Sequence, residues 1–155
     1  FFLNGGYGAR PNRDGEGILS FPTNVSNVPI EVLESSTPIR YHEKSLIPNS
    51  AGMGKFRGGL GQKIIFEVLN ESGLNMSVLT EKLITVSKGL NGGKDSIHGK
   101  ISISPERFIP PKGIIRLKKG DIVTMEMPGG GGYGNENDRD PELIKYDQDL
   151  GYIHS

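Results

Sequence analysis

The stretch SAGMGKFRGGLGQ at residues 50–62 determines how the rest of the chain is interpreted. Five of its thirteen residues are glycine, and a glycine inside a helix costs about 1 kcal/mol relative to alanine. Glycine suits positions where the backbone takes a positive φ or where another group approaches it closely. We therefore predict a shaped loop between two extended segments, with similar loops at residues 5–17 and 128–134.

Short apolar segments separated by turn residues extend from this loop in both directions. Residues 38–47 alternate apolar and polar side chains, which indicates a half-buried strand, and residues 63–69 predict a strand buried on both faces. A hairpin turn is predicted at residues 119–120. The other predicted strands are residues 1–4, 29–34, 76–80, 83–86, 100–104, 114–118 and 121–127.

One helix is predicted, at residues 140–151. Asp140 suits the N-cap and Pro141 suits the first helical position. Gly151 suits the residue that terminates a helix. The apolar face predicted to pack on a sheet edge is formed by Leu143, Tyr146 and Leu150.

The composition supports one folded, mainly β domain. The 155 residues include 23 glycines and 10 prolines, which indicates many turns. We predict packed antiparallel sheets in a sandwich or barrel-like arrangement, with glycine-rich loops and one C-terminal helix. Lys plus Arg and Asp plus Glu are equal at 18 each, which argues against binding to nucleic acid or a membrane surface.

Cysteine is absent, which excludes disulfides, thiolate metal sites and a cysteine nucleophile, and which fits a reducing compartment. The chain begins at Phe1 in an apolar, strand-like segment. We therefore predict that it is the C-terminal piece of a longer polypeptide. The alternative is a start trimmed by only a few residues.

The glycine loops fail the tests for nucleotide-binding motifs. Residues 54–59 lack the Lys-Ser/Thr pair and the following helix of a phosphate-binding loop. Residues 129–134 match G-x-G-x-x-G because they contain consecutive glycines, and no helix follows. The histidines are isolated, so no catalytic or metal-binding residue is predicted. Carboxylate pairs at residues 138/140 and 147/149 leave a calcium site as an alternative.

Cationic side chains in two of the loops are candidates for anion binding. Arg10 and Arg13 can grip a carboxylate or a phosphate as forked donors, or one of them can pair with Asp14 and hold the loop. Lys55 and Arg57 flank an aromatic residue in the central loop. That loop is a candidate site for an anion such as a nucleotide phosphate.

Taken together and in order, the loop motifs resemble one family. The resemblance is to the C-terminal part of hydantoinase B, a family that includes the B half of oxoprolinase and subunits of acetone and acetophenone carboxylases. The motifs that carry it are GGYGARPNRDG at residues 5–15, TN at 23–24 with Asn27, PIEVLE at 29–34, the central loop at 50–62, GLNGG at 89–93, KGD at 119–121, PGGGGYG at 128–134 and RDPE at 139–142.

The resemblance implies a cytoplasmic enzyme made of an A part and a B part. It implies that a hydantoinase A-like partner binds ATP with Mg and activates a cyclic amide or a ketone by phosphorylation. The B part carries a divalent metal and completes ring opening or carboxylation, and its metal-ligating residues lie before Gly5. This chain alone is therefore expected to bind no cofactor and to be inactive without the N-terminal part of the B polypeptide and its oligomeric partners.

The resemblance also implies which residues face the active site from this side. The main hypothesis is a portion of an ATP-dependent cyclic-amide hydrolase that supports the site and the assembly of its subunits. The alternatives are a subunit of the carboxylase type and a non-enzymatic β scaffold or interaction module. The implied site residues are Arg10, Arg13, Asp14, Asn24 and Asn27.

Overall fold

A computed structural model describes residues 3–20 and 28–154 of the chain. Strand residues outnumber helical residues in it, so the mainly β fold class is confirmed. The elements in chain order are α1 (Ile30–Ser36), β1 (Ile39–Ile47), β2 (Gly61–Val68), β3 (Leu74–Leu79), β4 (Lys100–Ser104), β5 (Lys112–Leu117), β6 (Ile122–Glu126), a 3-10 helix (Glu136–Asp138) and α2 (Pro141–Asp149).

The strands form two antiparallel sheets. A four-stranded sheet has the order β1-β2-β6-β4, and a two-stranded sheet pairs β3 with β5. The register between β1 and β2 shifts between Tyr41 and Glu43, where a β-bulge interrupts the ladder. Within the residues that the structure describes, the sheets do not close into a barrel.

Both sheets contribute to one hydrophobic core. Ile64, Phe66 and Val68 alternate along β2 and are buried against Val123 of β6 and Leu117 of β5. Full burial of such a side chain contributes about 1.5–3 kcal/mol. The opposite face of β2 is only partly buried, so the prediction of a strand buried on both faces is wrong.

The segment 29–34 is predicted as a strand, but its residues 30–34 belong to helix α1. Pro29 precedes the helix, and Glu31 lies in its first turn, where the positive end of the helix dipole favours a carboxylate. The Oγ atoms of Ser35 and Ser36 donate hydrogen bonds to carbonyls of the same helix. No residue of α1 is buried, and the short apolar run therefore does not reflect a core strand.

Two other strand predictions are also wrong. Residues 83–86 form a bend and irregular chain rather than a strand. In the predicted strand 1–4, Leu3 and Asn4 are not in a strand, and residues 1 and 2 lie outside the described residues. The turn at residues 119–120 exists, with Asp121 N donating to Lys118 O at 3.1 Å. It does not form a hairpin, because it leads the chain from β5 in one sheet to β6 in the other.

The C-terminal helix α2 is confirmed, with its predicted cap and terminator. The Asp140 side chain accepts a hydrogen bond from Glu142 N, and Gly151 has φ +69°. Its predicted packing face is wrong, because Tyr146 and Leu150 are 59% and 46% exposed. The one buried residue of α2 is Asp147, which has a partner in the central loop.

Candidate functional site

The glycine-rich loops pack against one another through their backbones. Gly52 N donates to Gly130 O at 2.8 Å, Gly130 N to Gly59 O at 2.9 Å, and Gly59 N to Tyr7 O at 2.7 Å. These bonds join the loops at residues 5–17, 50–62 and 128–134 in one direct chain. The predicted loops are therefore a single structural unit.

The glycines are required because these backbones lie too close for a side chain. A Cβ added at Gly52, Gly59, Gly130 or Gly132 would lie less than 3.0 Å from a backbone atom of another loop. Backbone atoms cannot move aside as a flexible side chain can. The glycines of this unit thus serve close packing between loops.

Four buried or half-buried charged side chains fasten this unit to the C-terminal segment. Arg57 of the central loop donates to Asp147 of α2 through Nε, at 3.0 Å, and through Nη2, at 2.9 Å. Its Nη1 donates to Gly58 O at 2.6 Å, and its guanidinium lies 5.4 Å from the centre of the Tyr152 ring. This forked geometry is the strong form of an arginine–carboxylate pair.

Arg139 links the same carboxylate to the first glycine loop. Its Nη2 lies 2.7 Å from an oxygen of Asp147 and 2.7 Å from an oxygen of Asp14. Its Nη1 donates to the other oxygen of Asp14 at 2.8 Å. Asp14 also accepts a hydrogen bond from Arg57 N at 2.7 Å. We name these four residues, Asp14, Arg57, Arg139 and Asp147, the charge cluster.

The charge cluster is electrically neutral, with two cations and two anions. Burial alone would raise the pKa of Asp14, but the hydrogen bonds and positive charges of Arg139 and Arg57 lower it below its usual value. Burial alone would lower the pKa of Arg139, and the two aspartates raise it instead. Both groups are therefore held in their charged forms.

Two of the sequence-predicted site residues, Asp14 and Arg57, lie together in this cluster. Arg57 is 6% exposed and its charge is matched by Asp147. The sequence indicated Arg10 or Arg13 as the partner of Asp14, which is wrong, because that partner is Arg139.

The other predicted site residues are distributed over the surface or lie outside the structure. Arg10 and Arg13 are exposed at a tight turn, where their backbones bond to each other at 3.0 and 3.4 Å. Arg13 also pairs with Glu16 at 3.4 Å. Lys55 is exposed, with Nζ 5.8 Å from the centre of the Phe56 ring. The remaining two, Asn24 and Asn27, lie outside the described residues.

The carboxylates in this part of the chain do not fit a metal ion. Those of Asp14 and Asp147 are already occupied by arginine donors, and Asp140 caps α2. Within residues 3–20 and 28–154, no three histidine, aspartate or glutamate side chains come together as metal ligands. Two of the four carboxylates in the calcium alternative at residues 138/140 and 147/149 are thus engaged elsewhere, Asp140 as the cap of α2 and Asp147 with arginines.

Sequence reasoning missed Arg139 and Asp147 as members of this constellation. Arg139 belongs to one of the family motifs, and Asp147 stands out in the sequence only as one of a pair of acidic residues. The signal that was available is an aspartate at a position of α2 where an apolar residue would be expected. Asp14 and Arg139 are 125 positions apart, and no local pattern joins them.

Comparison with known proteins gives a consistent assignment. The family model described as hydantoinase B/oxoprolinase matches residues 1–136. The B subunit of a putative D-/L-hydantoinase of Pseudomonas sp. is 32% identical over 158 residues, which cover 97% of this chain and 26% of that protein. The 5-oxoprolinase 1 of Arabidopsis thaliana is 30% identical over 138 residues, which cover 86% of this chain and 11% of that protein.

The fold is shared with a solved enzyme. The nucleotide-free structure of acetone carboxylase matches with a TM-score of 0.76 and 22% identity over 96% of this chain and 25% of that one. The chain thus spans about a quarter or less of the proteins it matches here. No helix of the described part is both long and apolar enough to cross a membrane. Because the family model covers most of its length, the chain belongs to the hydantoinase B/oxoprolinase family.

Proposed function

We propose that this chain is the C-terminal portion of the B component of an ATP-dependent cyclic-amide hydrolase of the hydantoinase/oxoprolinase type. In this role it supports the active site and the assembly of the subunits and is not catalytic alone. The observation that carries the proposal is the match to a named hydantoinase B subunit over 97% of this chain. Its partners are then the rest of the B polypeptide and a hydantoinase A-like ATP-binding subunit, in the cytoplasm.

The structure supports a positioning role for the first glycine loop. Asp14 is fixed by Arg139 and by Arg57 N, and the turn that presents Arg10 and Arg13 ends directly before it. The exposed guanidinium groups are thus held on a backbone that the charge cluster anchors. Guanidinium groups are forked donors for a carboxylate or a phosphate, and opening a cyclic amide by hydrolysis releases a carboxylate.

ATP and a divalent metal would activate the amide when they are bound elsewhere in the complex. Asp14 and Asp147 are paired with arginines, so their carboxylates are not available as metal ligands. What its residues do is bind and orient. Arg10 and Arg13 present positive charge at the surface, and the charge cluster fixes the loop that carries them.

The proposal is tested in the complete enzyme, assembled from A and B components with ATP and a cyclic amide. Arg10→Ala and Arg13→Ala should each lower turnover about tenfold or more, since each removes a charged donor worth about 1.4 kcal/mol or more. Arg40→Ala is the matched control, an exposed arginine on β1, and it should leave turnover unchanged. Thermal unfolding should give the same midpoint for all three variants.

Unchanged turnover in both loop variants would leave this loop with a structural role only and would favour the scaffold alternative.

A second assay distinguishes the hydrolase reaction from the carboxylase reaction. Ring opening of a hydantoin or of 5-oxoproline with ATP consumption supports the hydrolase, whereas bicarbonate-dependent consumption of acetone would assign the assembled enzyme to the carboxylase type instead.

A further inference from the structure

One edge of β3 is unpaired within the part of the chain that the structure describes. β3 pairs only with β5, and Thr80 N continues this ladder by donating to Pro111 O at 3.0 Å. In an antiparallel ladder only alternate residues exchange hydrogen bonds with the partner strand. The even-numbered residues of β3 therefore bond to β5, and the odd-numbered ones present their N–H and C=O groups outward. The outward residues are Asn75, Ser77 and Leu79.

A groove of about 610 Å³ runs along this edge. Residues 76–82 form one wall, residues 3–7 form another, and residues 127–129 contribute a third segment. The half-buried side chain of Met76 and the exposed side chain of Ser77 lie on opposite faces of the strand, and both line the groove. The groove therefore borders the edge of the strand rather than one of its faces. Contiguous backbone walls of this kind fit an extended peptide.

The sequence of β3 itself carries none of the features that usually prevent strand pairing. Natural edge strands are protected by lysine, proline, bulges or a covering loop. Residues 74–79 contain no charged residue and no proline, and their register with β5 is regular. Leu79 is 80% exposed and Ile114, diagonally across the ladder, is 75% exposed. This edge is therefore suited to association.

We propose that the groove receives an extended segment from the rest of the B polypeptide, which pairs with β3 as a third strand. The inference deepens the proposed function and rests on it. This chain covers 26% of the hydantoinase B subunit that it matches, so such a polypeptide has ample further chain to supply the strand. Main-chain hydrogen bonds would give affinity, and alternate side-chain pockets would give specificity.

The walls of the groove also define the chemistry of the added segment. Leu3, Met76, Met125 and Met127 line it and are buried or half-buried, so every second side chain of the segment is apolar. The charged groups that line it, Glu81 and Lys82, are exposed and follow the end of β3 in the chain. Polar side chains therefore alternate with the apolar ones on the solvent side, as in a half-buried strand.

The first test is amide hydrogen exchange on the complete B component. The amides of Asn75, Ser77 and Leu79 should exchange at least about a hundredfold more slowly than unprotected amides, as ladder amides do. Exchange at the unprotected rate would overturn the proposal. Protection that grows with protein concentration would also overturn it, because a second copy would then occupy the edge.

The second test compares two proline variants of the complete B component. Ser77→Pro removes an N–H that faces the groove, whereas Ile114→Pro removes an outward N–H from the opposite edge, on the residue paired with Ser77. Ser77→Pro should raise exchange at Asn75 and Leu79 about tenfold or more, and Ile114→Pro should leave those two amides protected. Equal effects of the two variants would contradict strand addition at β3.

These outcomes are separate from those that judge the proposed function. Turnover by the assembled A and B components with a cyclic amide tests the function, whether or not β3 is paired. Normal turnover with unprotected β3 amides would overturn the strand and leave the function standing. Protected β3 amides without any ATP-dependent ring opening would overturn the function and retain the docking of the B polypeptide.

Discussion

At the scale of single residues, Asp147 is the centre of the charge cluster. It is 1% exposed and accepts hydrogen bonds from Arg57 and Arg139. Asp147→Asn removes one of the two negative charges that balance the buried guanidinium groups of Arg57 and Arg139, so it should lower the free energy of unfolding by about 3–5 kcal/mol. Asp149→Asn, an exposed site on the same helix, should change it by less than about 0.5 kcal/mol. Urea denaturation measures both, and equal losses would contradict the role of the cluster.

Asp14 gives this cluster a predictable response to acid. Its pKa is lowered in the folded chain by Arg139 and Arg57 against the effect of burial. The stabilisation is therefore present above its unfolded-state pKa of about 4 and is lost as the pH falls through the lower folded-state value. Asp14→Asn should be less stable than the wild type at pH 7, and the difference should shrink below about pH 4. A difference that is constant from pH 7 to pH 3 would show that the carboxylate charge is not the cause.

At the scale of elements, the glycine-rich loops pack closely, backbone against backbone. Gly131→Ala would place a Cβ less than 3.0 Å from Lys88 O, whereas a Cβ at Gly8 meets nothing nearer than Gly131 O at 3.8 Å. Overpacking costs about 1–3 kcal/mol and sometimes more, so Gly131→Ala should destabilise by at least that amount and Gly8→Ala should be near neutral. Thermal unfolding of the two variants measures the difference in stability. Similar midpoints would mean that the loops shift to accommodate the added Cβ at little cost.

The elements also show where local sequence patterns suffice. The alternation along β2 and the cap and terminator of α2 depend on neighbouring residues, so they can be predicted from the sequence. The helix α1 cannot, because a short exposed helix beginning after Pro29 has the same apolar content as an edge strand. The pairing of β5 with β3 rather than with β6 is decided by the core that Leu117 enters, and a turn sequence carries no such information.

At the scale of the whole molecule, the resemblance of the loop motifs identifies the family, whereas the structural purpose of the loops stays hidden in the sequence. Glycine-rich sequence is typical of mobile loops or ligand cradles, and both interpretations ignore contacts between segments far apart in the chain. Phe56 and Tyr133, for example, bond through their backbones in both directions at 2.9 Å. In the sequence alone, Arg57 looks like an anion-binding residue, because its partner Asp147 lies 90 positions away.

A rigid unit of this kind predicts that the glycine loops open only when the whole chain unfolds. The amides of Gly52, Gly59 and Gly130 are hydrogen-bonded and these residues are buried, so their opening free energies should approach that of Phe66 in the centre of β2. The exposed Gly92, in the separate segment at residues 89–93, is the contrast, and its amide should exchange quickly. Native-state hydrogen exchange in low denaturant measures all of them. If the three loop amides opened several kcal/mol below Phe66, the loops would move independently of the sheets, and the first loop could not hold Arg10 and Arg13 in place.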